Sequence, residues 1–107
     1  MEKVIRDGHV AVLISTGYGS GWYTWNDHEE MIFHPKLIEL VESNTHDDLN
    51  MEAALIEILG EEVGKSIYLG GVMDLSITWI PEGTKFKIEE YDGKEHIITE
   101  NDLNLTA

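Results

Sequence analysis

The side chains and spacing most able to do chemistry lie in residues 8–26. Gly17, Gly19 and Gly21 alternate with Tyr18 and Ser20, and Trp22, Tyr23 and Trp25 follow at once. Three alternate glycines mark a backbone path that ordinary residues do not follow, and successive amides in such a loop form an anion-binding nest. Large aromatic rings beside a nest stack on bases. The set Gly17, Tyr18, Gly19, Ser20, Gly21, Trp22, Tyr23 and Trp25 therefore suggests capture of a nucleotide-like ligand, with amides on the phosphates and a ring on the base. A tight turn with its aromatics in the core or in a subunit interface is the structural alternative.

The spacing is not that of a dinucleotide fingerprint, because the third glycine comes one residue early. No Gly-Lys-Ser/Thr follows, so the loop is not a P-loop. Ser20 is preceded by Tyr18-Gly19 and followed by Gly21, which is not a nucleophile elbow. Asp27, His28, Glu29, Glu30 and His34 are five potential ligands within eight residues, and His46-Asp47-Asp48 is a similar cluster. Neither matches a metal-site spacing, and both suit polar loops and helix caps. No spacing selects a catalytic carboxylate pair. The chain reads as a binding module, with no catalytic residue, metal or cofactor assigned.

Charge bounds the partners. The 107 residues carry a formal net charge of −14, and Arg6 is the only arginine. Such a field repels DNA, RNA and anionic lipid and attracts basic proteins. The excess is concentrated: residues 27–62 hold eleven acidic side chains against Lys36 alone, whereas 8–26 hold none of either sign. A solvated acidic helical face is the plain reading of that segment. The functional reading is a nucleic-acid mimic inhibiting a basic host protein, with Glu57, Glu61 and Glu62 as partner-binding residues. A third reading is a structural homo-oligomer formed through the aromatic stretch.

Hydrophobic residues at 42% indicate a folded chain, and the absence of cysteine excludes disulfides and thiolate metal sites. No apolar run reaches the length of a membrane span, and the first residues lack a signal-peptide core, so a soluble, intracellular protein is expected.

The elements that must position the loop follow from patterning. Asp7-Gly8 joins Lys3–Arg6 to His9–Ser15 as a type I′ hairpin, and the second strand is apolar enough to lie centrally. Asn26 and Glu29 suggest a capping box for a short helix. His34-Pro35 starts a helix over Lys36–Ser43. Asp48 is the cap candidate for a helix from about Leu49 to Val63, ended by Gly64. Ile67–Leu69 is a short apolar run before Gly70-Gly71. Strands follow at Leu75–Trp79, Thr84–Glu89 and Glu95–Thr99, with Asp92-Gly93 as a second hairpin turn. The tail from Glu100 is polar, either mobile or an edge contact. The class is α+β, one domain over 1–107. An N-terminal hairpin and C-terminal meander form a mostly antiparallel sheet, with two or three helices on one face.

Val10–Asn26 and Asp74–Gly93 together resemble a family of small proteins encoded by tailed bacteriophages and prophages. The resemblance implies a phage or prophage accessory protein in the cytoplasm of a bacterial host, with an anti-defence role among the expectations. The family brings no catalytic residues.

Overall fold

The computed structural model describes residues 2–99 and 105–107. Two three-stranded antiparallel sheets and four helices make up an α+β fold. In the first sheet, β1 (Ile5–Arg6), β2 (His9–Ser15) and β3 (Leu75–Pro81) lie in that order. In the second, β4 (Lys85–Tyr91) is flanked by β5 (Lys94–Thr99) and β6 (Leu105–Thr106). The meander thus divides: its first strand joins the N-terminal hairpin, and the rest forms a separate sheet. The tail's last residues pair Leu105 with Phe86. Residues 100–104 lie outside the described part.

Strand β2 is central and buried on both sides, which is why it carries no charge. Ala11 and Leu13 face α2 (Pro35–Glu42) and α3 (Asp48–Leu59), packing with Leu37, Ile38, Met51 and Leu55. Val10, Val12 and Ile14 point the other way, toward Phe86, Leu105 and the side chains of α1 (Glu30–Phe33). Phe33 meets Phe86 edge-to-face at 6.2 Å. Helices, first sheet and second sheet therefore stack as layers, with β2 in the middle one.

Helix boundaries follow local chemistry. Pro35 sits in the first turn of α2, and the His34 ring accepts from the Lys36 amide. The cap of α3 is Asp47, one residue before the expected Asp48, and its carboxylate accepts from the Asn50 amide at 2.8 Å. Asn26 does not cap α1. Glu29 holds that position with no side-chain bond. The single helix expected over Leu49–Val63 is two, because Gly60 takes φ +92° and separates α3 from α4 (Glu61–Ser66). The apolar stripe from Met51 to Leu59 carries no mark of the break, so periodicity alone hides it. Gly64 lies inside α4, where a Cβ would collide with the backbone of Ile56. Its role is close helix approach, not termination. Ile67–Leu69 forms no strand.

Both hairpins turn on Asp-Gly, with φ 51° and 75° at Asp7-Gly8 and 51° and 87° at Asp92-Gly93. Their surroundings differ. A Cβ on Gly8 would meet nothing within 4 Å, whereas one on Gly93 would collide with the backbone of Gly19 and Ser20. Gly8→Ala should lose only the left-handed conformational preference, about 1 kcal/mol. Gly93→Ala should lose about 1–3 kcal/mol more, because neither backbone can yield freely. Urea unfolding of both variants measures the difference, and equal losses would show that the two turns are not packed differently.

Candidate functional site

The glycine loop follows β2 and lies against the β4–β5 turn. The Gly19 amide donates to the Asp92 carbonyl at 2.5 Å. Glycine is needed along this path for contact as well as conformation: a Cβ on Gly17 would strike the Asp74 carboxylate, and one on Gly21 the side chains of Thr24 and Trp25.

The feature that organises the loop is Glu95, on β5. Its side chain is 1% exposed, and its carboxylate accepts four hydrogen bonds. Oε1 accepts from the Ser15 amide at 2.8 Å. Oε2 accepts from the amides of Trp22 and Thr24 at 3.0 and 2.8 Å, and from the Thr24 hydroxyl at 2.7 Å. A buried carboxylate is tolerated only when its oxygens are this fully served, and bonds to a charged acceptor are stronger than neutral ones. The amides that meet this carboxylate flank the glycines, Ser15 before them and Trp22 and Thr24 after, while the Gly19 amide is taken by the Asp92 carbonyl. Ser15, wholly buried, closes the arrangement by donating its hydroxyl to the Ser20 carbonyl at 3.1 Å. Sequence reasoning missed Glu95. It sits beside Lys94 in a strand whose composition reads as a charged edge, and nothing local marks it as buried.

The aromatic residues divide between inside and outside. Trp22 is fully buried in the helix-side core and donates its indole N–H to the Met31 carbonyl at 2.9 Å. Tyr23 is half-buried between the two core clusters. Trp25 is 44% exposed and stacks on Tyr68, 50% exposed, with centroids 5.3 Å apart. Hydrogen bonds hold the Tyr68 half of this pair in place. The Asn26 side-chain amide accepts from the Tyr68 N–H at 2.9 Å and donates to its carbonyl at 3.1 Å, while the Ser20 and Tyr68 hydroxyls meet at 3.3 Å. Asn26 thus acts as one rung of a strand ladder, which is why it is absent from the helix cap. Tyr18 is exposed on the same loop, with the Lys94 ammonium 5.2 Å from its ring centroid. Of the expected ligand-binding set, Ser20 and Trp25 meet at Tyr68 on one surface, while the exposed Tyr18 lies against Lys94. Trp22 and the amides of Trp22 and Thr24 do not reach that surface. Tyr68 joins that surface from a distant segment.

The acidic residues of the helices are partly compensated. Glu57 pairs with Lys36, and Glu61 with Lys65 at 2.9 Å, whereas Glu62 forms no ion pair among the described residues. The Arg6 fork holds Glu42 at 2.5 and 2.8 Å, which lowers that carboxyl below its usual range. Arg6 also lies over Trp79, beside an open groove of about 480 Å3 lined with Asp7 and His9. Among the described residues no group of three or more His, Asp or Glu side chains is arranged to hold a metal ion. No helix there is long and apolar enough to cross a membrane.

No protein-family model, curated protein or solved structure matches the chain.

Two outcomes follow from these contacts. Glu95→Ala leaves three amides without their acceptor, and stability should fall by on the order of 4 kcal/mol. Glu95→Gln puts an N–H donor against other donors and should cost about 2 kcal/mol, read by chemical unfolding. A glutamine variant as stable as the parent would show that the charge does not hold the loop. Burial, then the charges of Asp27 and Glu29, raise the Tyr23 phenol above its ordinary value of 10.0. Its neutral form is favoured in the fold, so its contribution is complete below pH 10.0 and is lost as pH rises through the higher folded value. Tyr23→Phe should flatten that alkaline loss in unfolding curves. An unchanged slope would assign the loss to another group.

Proposed function

We propose that this chain is a non-enzymatic binding module for a basic protein, with the Trp25–Tyr68 pair as its anchor and the acidic helices as its guiding field. The observation that carries this reading is the pair itself. Two large rings stack at the surface, with Asn26 holding the Tyr68 backbone and the Ser20 hydroxyl meeting the Tyr68 hydroxyl. Pre-ordered aromatic side chains lose little freedom on association, and Trp and Tyr are enriched among the residues that carry binding energy. The net charge of −14 favours a cationic partner, including arginine or lysine side chains that settle on the exposed ring faces. Capture of a phosphate here is disfavoured, since Glu95 already occupies the flanking amides of Ser15, Trp22 and Thr24 and the Gly19 amide meets the Asp92 carbonyl. The phage resemblance would make the partner a protein of the bacterial host.

Trp25→Ala and Tyr68→Ala should each weaken binding by about tenfold or more without unfolding the protein. Glu62→Lys should mainly slow association, and affinity should fall as salt rises. The probe is a set of lysine- and arginine-rich host proteins, with free nucleotides in parallel, read by the quenching of tryptophan fluorescence. Nucleotide binding without protein binding, or binding indifferent to Trp25 and Tyr68, would overturn the reading.

A further inference from the structure

Among the described residues the two sheets expose four edges, and three of them are blunted. Strands β1 and β6 are two residues long, and β5 carries Lys94, Glu95 and His96. Short or charged edges are the usual means of preventing sheet-to-sheet pairing. Strand β3 has neither protection. Its seven residues, Leu-Ser-Ile-Thr-Trp-Ile-Pro, pair along their whole length with β2 on one side, and no described strand pairs on the other. It holds no charged residue in a chain of net charge −14. Ser76, Ile77 and Thr78 are half-buried, and Trp79 is 37% exposed, so the strand reaches the surface.

We infer that β3 is the seam of a homodimer, in which two copies pair antiparallel about a two-fold axis through Thr78 to make one six-stranded sheet. The sequence of the strand selects a second copy as its occupant. An antiparallel pair centred on its midpoint keeps each copy's helix side on the same face. Ile77 then lies opposite the partner's Trp79 twice, and Thr78 opposite the partner's Thr78. β-Branched–aromatic and Thr–Thr pairs are favourable cross-strand combinations. Ser76 meets the partner's Ile80, and Pro81, which has no N–H to offer, marks the end of the seam. No like charges meet along these seven positions. The repulsion that opposes dimerisation comes from the bodies of the two copies, where added salt screens it. Arg6, 5.3 Å from the Trp79 ring centroid, holds the indole on the helix side of the strand.

The natural chain has no cysteine, so single introduced thiols report the seam directly. Directly opposed Cβ atoms on antiparallel strands lie about 4.5–5.5 Å apart, close to disulfide reach. Under mild oxidation Thr78→Cys should give a covalent dimer, and Ser76→Cys, which faces Ile80 across the axis, should form no disulfide cross-link. Cross-linking at both positions or at neither overturns the seam. Should either variant fail to fold, sedimentation of the unaltered protein decides. A dimer fraction that rises with concentration and with salt, accompanied by hydrogen-exchange protection in β3, supports the inference. A monomer under all these conditions, or protection gained elsewhere, refutes it.

Discussion

One carboxylate ties the molecule together. Glu95 comes from the second sheet, and its acceptors are filled by the end of β2, by Trp22 and by Thr24, all of the first sheet and the loop behind it. Apolar packing of Val10, Val12 and Ile14 on Phe86 brings the two sheets together. Packing is tolerant of small slides, and directed bonds to a charged acceptor are not. Glu95 therefore sets the register between the sheets, and everything beyond it on the loop inherits that position. The Trp25–Tyr68 pair owes its placement to this chain of contacts: Trp22 anchored within, Asn26 one turn later, and Tyr68 gripped by Asn26.

An anion supplied by the chain differs from one supplied by solution. A tethered carboxylate acts at a high effective concentration, so dissolved phosphate competes poorly for the same amides. The two flanks of the loop, Ser15 on one side and Trp22 and Thr24 on the other, close on this carboxylate as a structural clasp. This is why the aromatic side chains, and not the glycines, are the part free to meet another molecule.

Much of the fold was legible in the sequence wherever a local rule decides the outcome. The two Asp-Gly turns, the continuous apolar run of β2, the His34-Pro35 helix start and the stripe Met51, Ala54 and Leu55 all depend on neighbouring residues alone. The α+β class with antiparallel sheets followed from their order. The division into two sheets did not, because it depends on which partner each strand of the meander finds. Gly60 was missed because an amphipathic stripe is indifferent to one residue on its polar side. At the candidate site, the distinctive glycines and aromatics were visible, but their roles were not. Whether Trp22 points in and Trp25 out is decided by Glu95 and Tyr68, residues 73 and 42 positions away from their contacts in the stretch. Those separations leave no periodic trace.

The same separations bear on how the chain reaches its fold. The bond from the Ser15 amide to Glu95 closes a span of 80 residues, so the clasp cannot form until the last hairpin exists. Contacts of such range are formed late and slowly, after nearby turns and helices. On a ribosome, the helices would be complete while Gly17–Trp25 still lacked its internal anion. In that interval the amides of Ser15, Trp22 and Thr24 lack the acceptor that orders them, and the path from Ser15 to Thr24 is fixed only once β5 is in place. The surface that carries Trp25 and Tyr68 is thus among the last parts of the fold to take its final form.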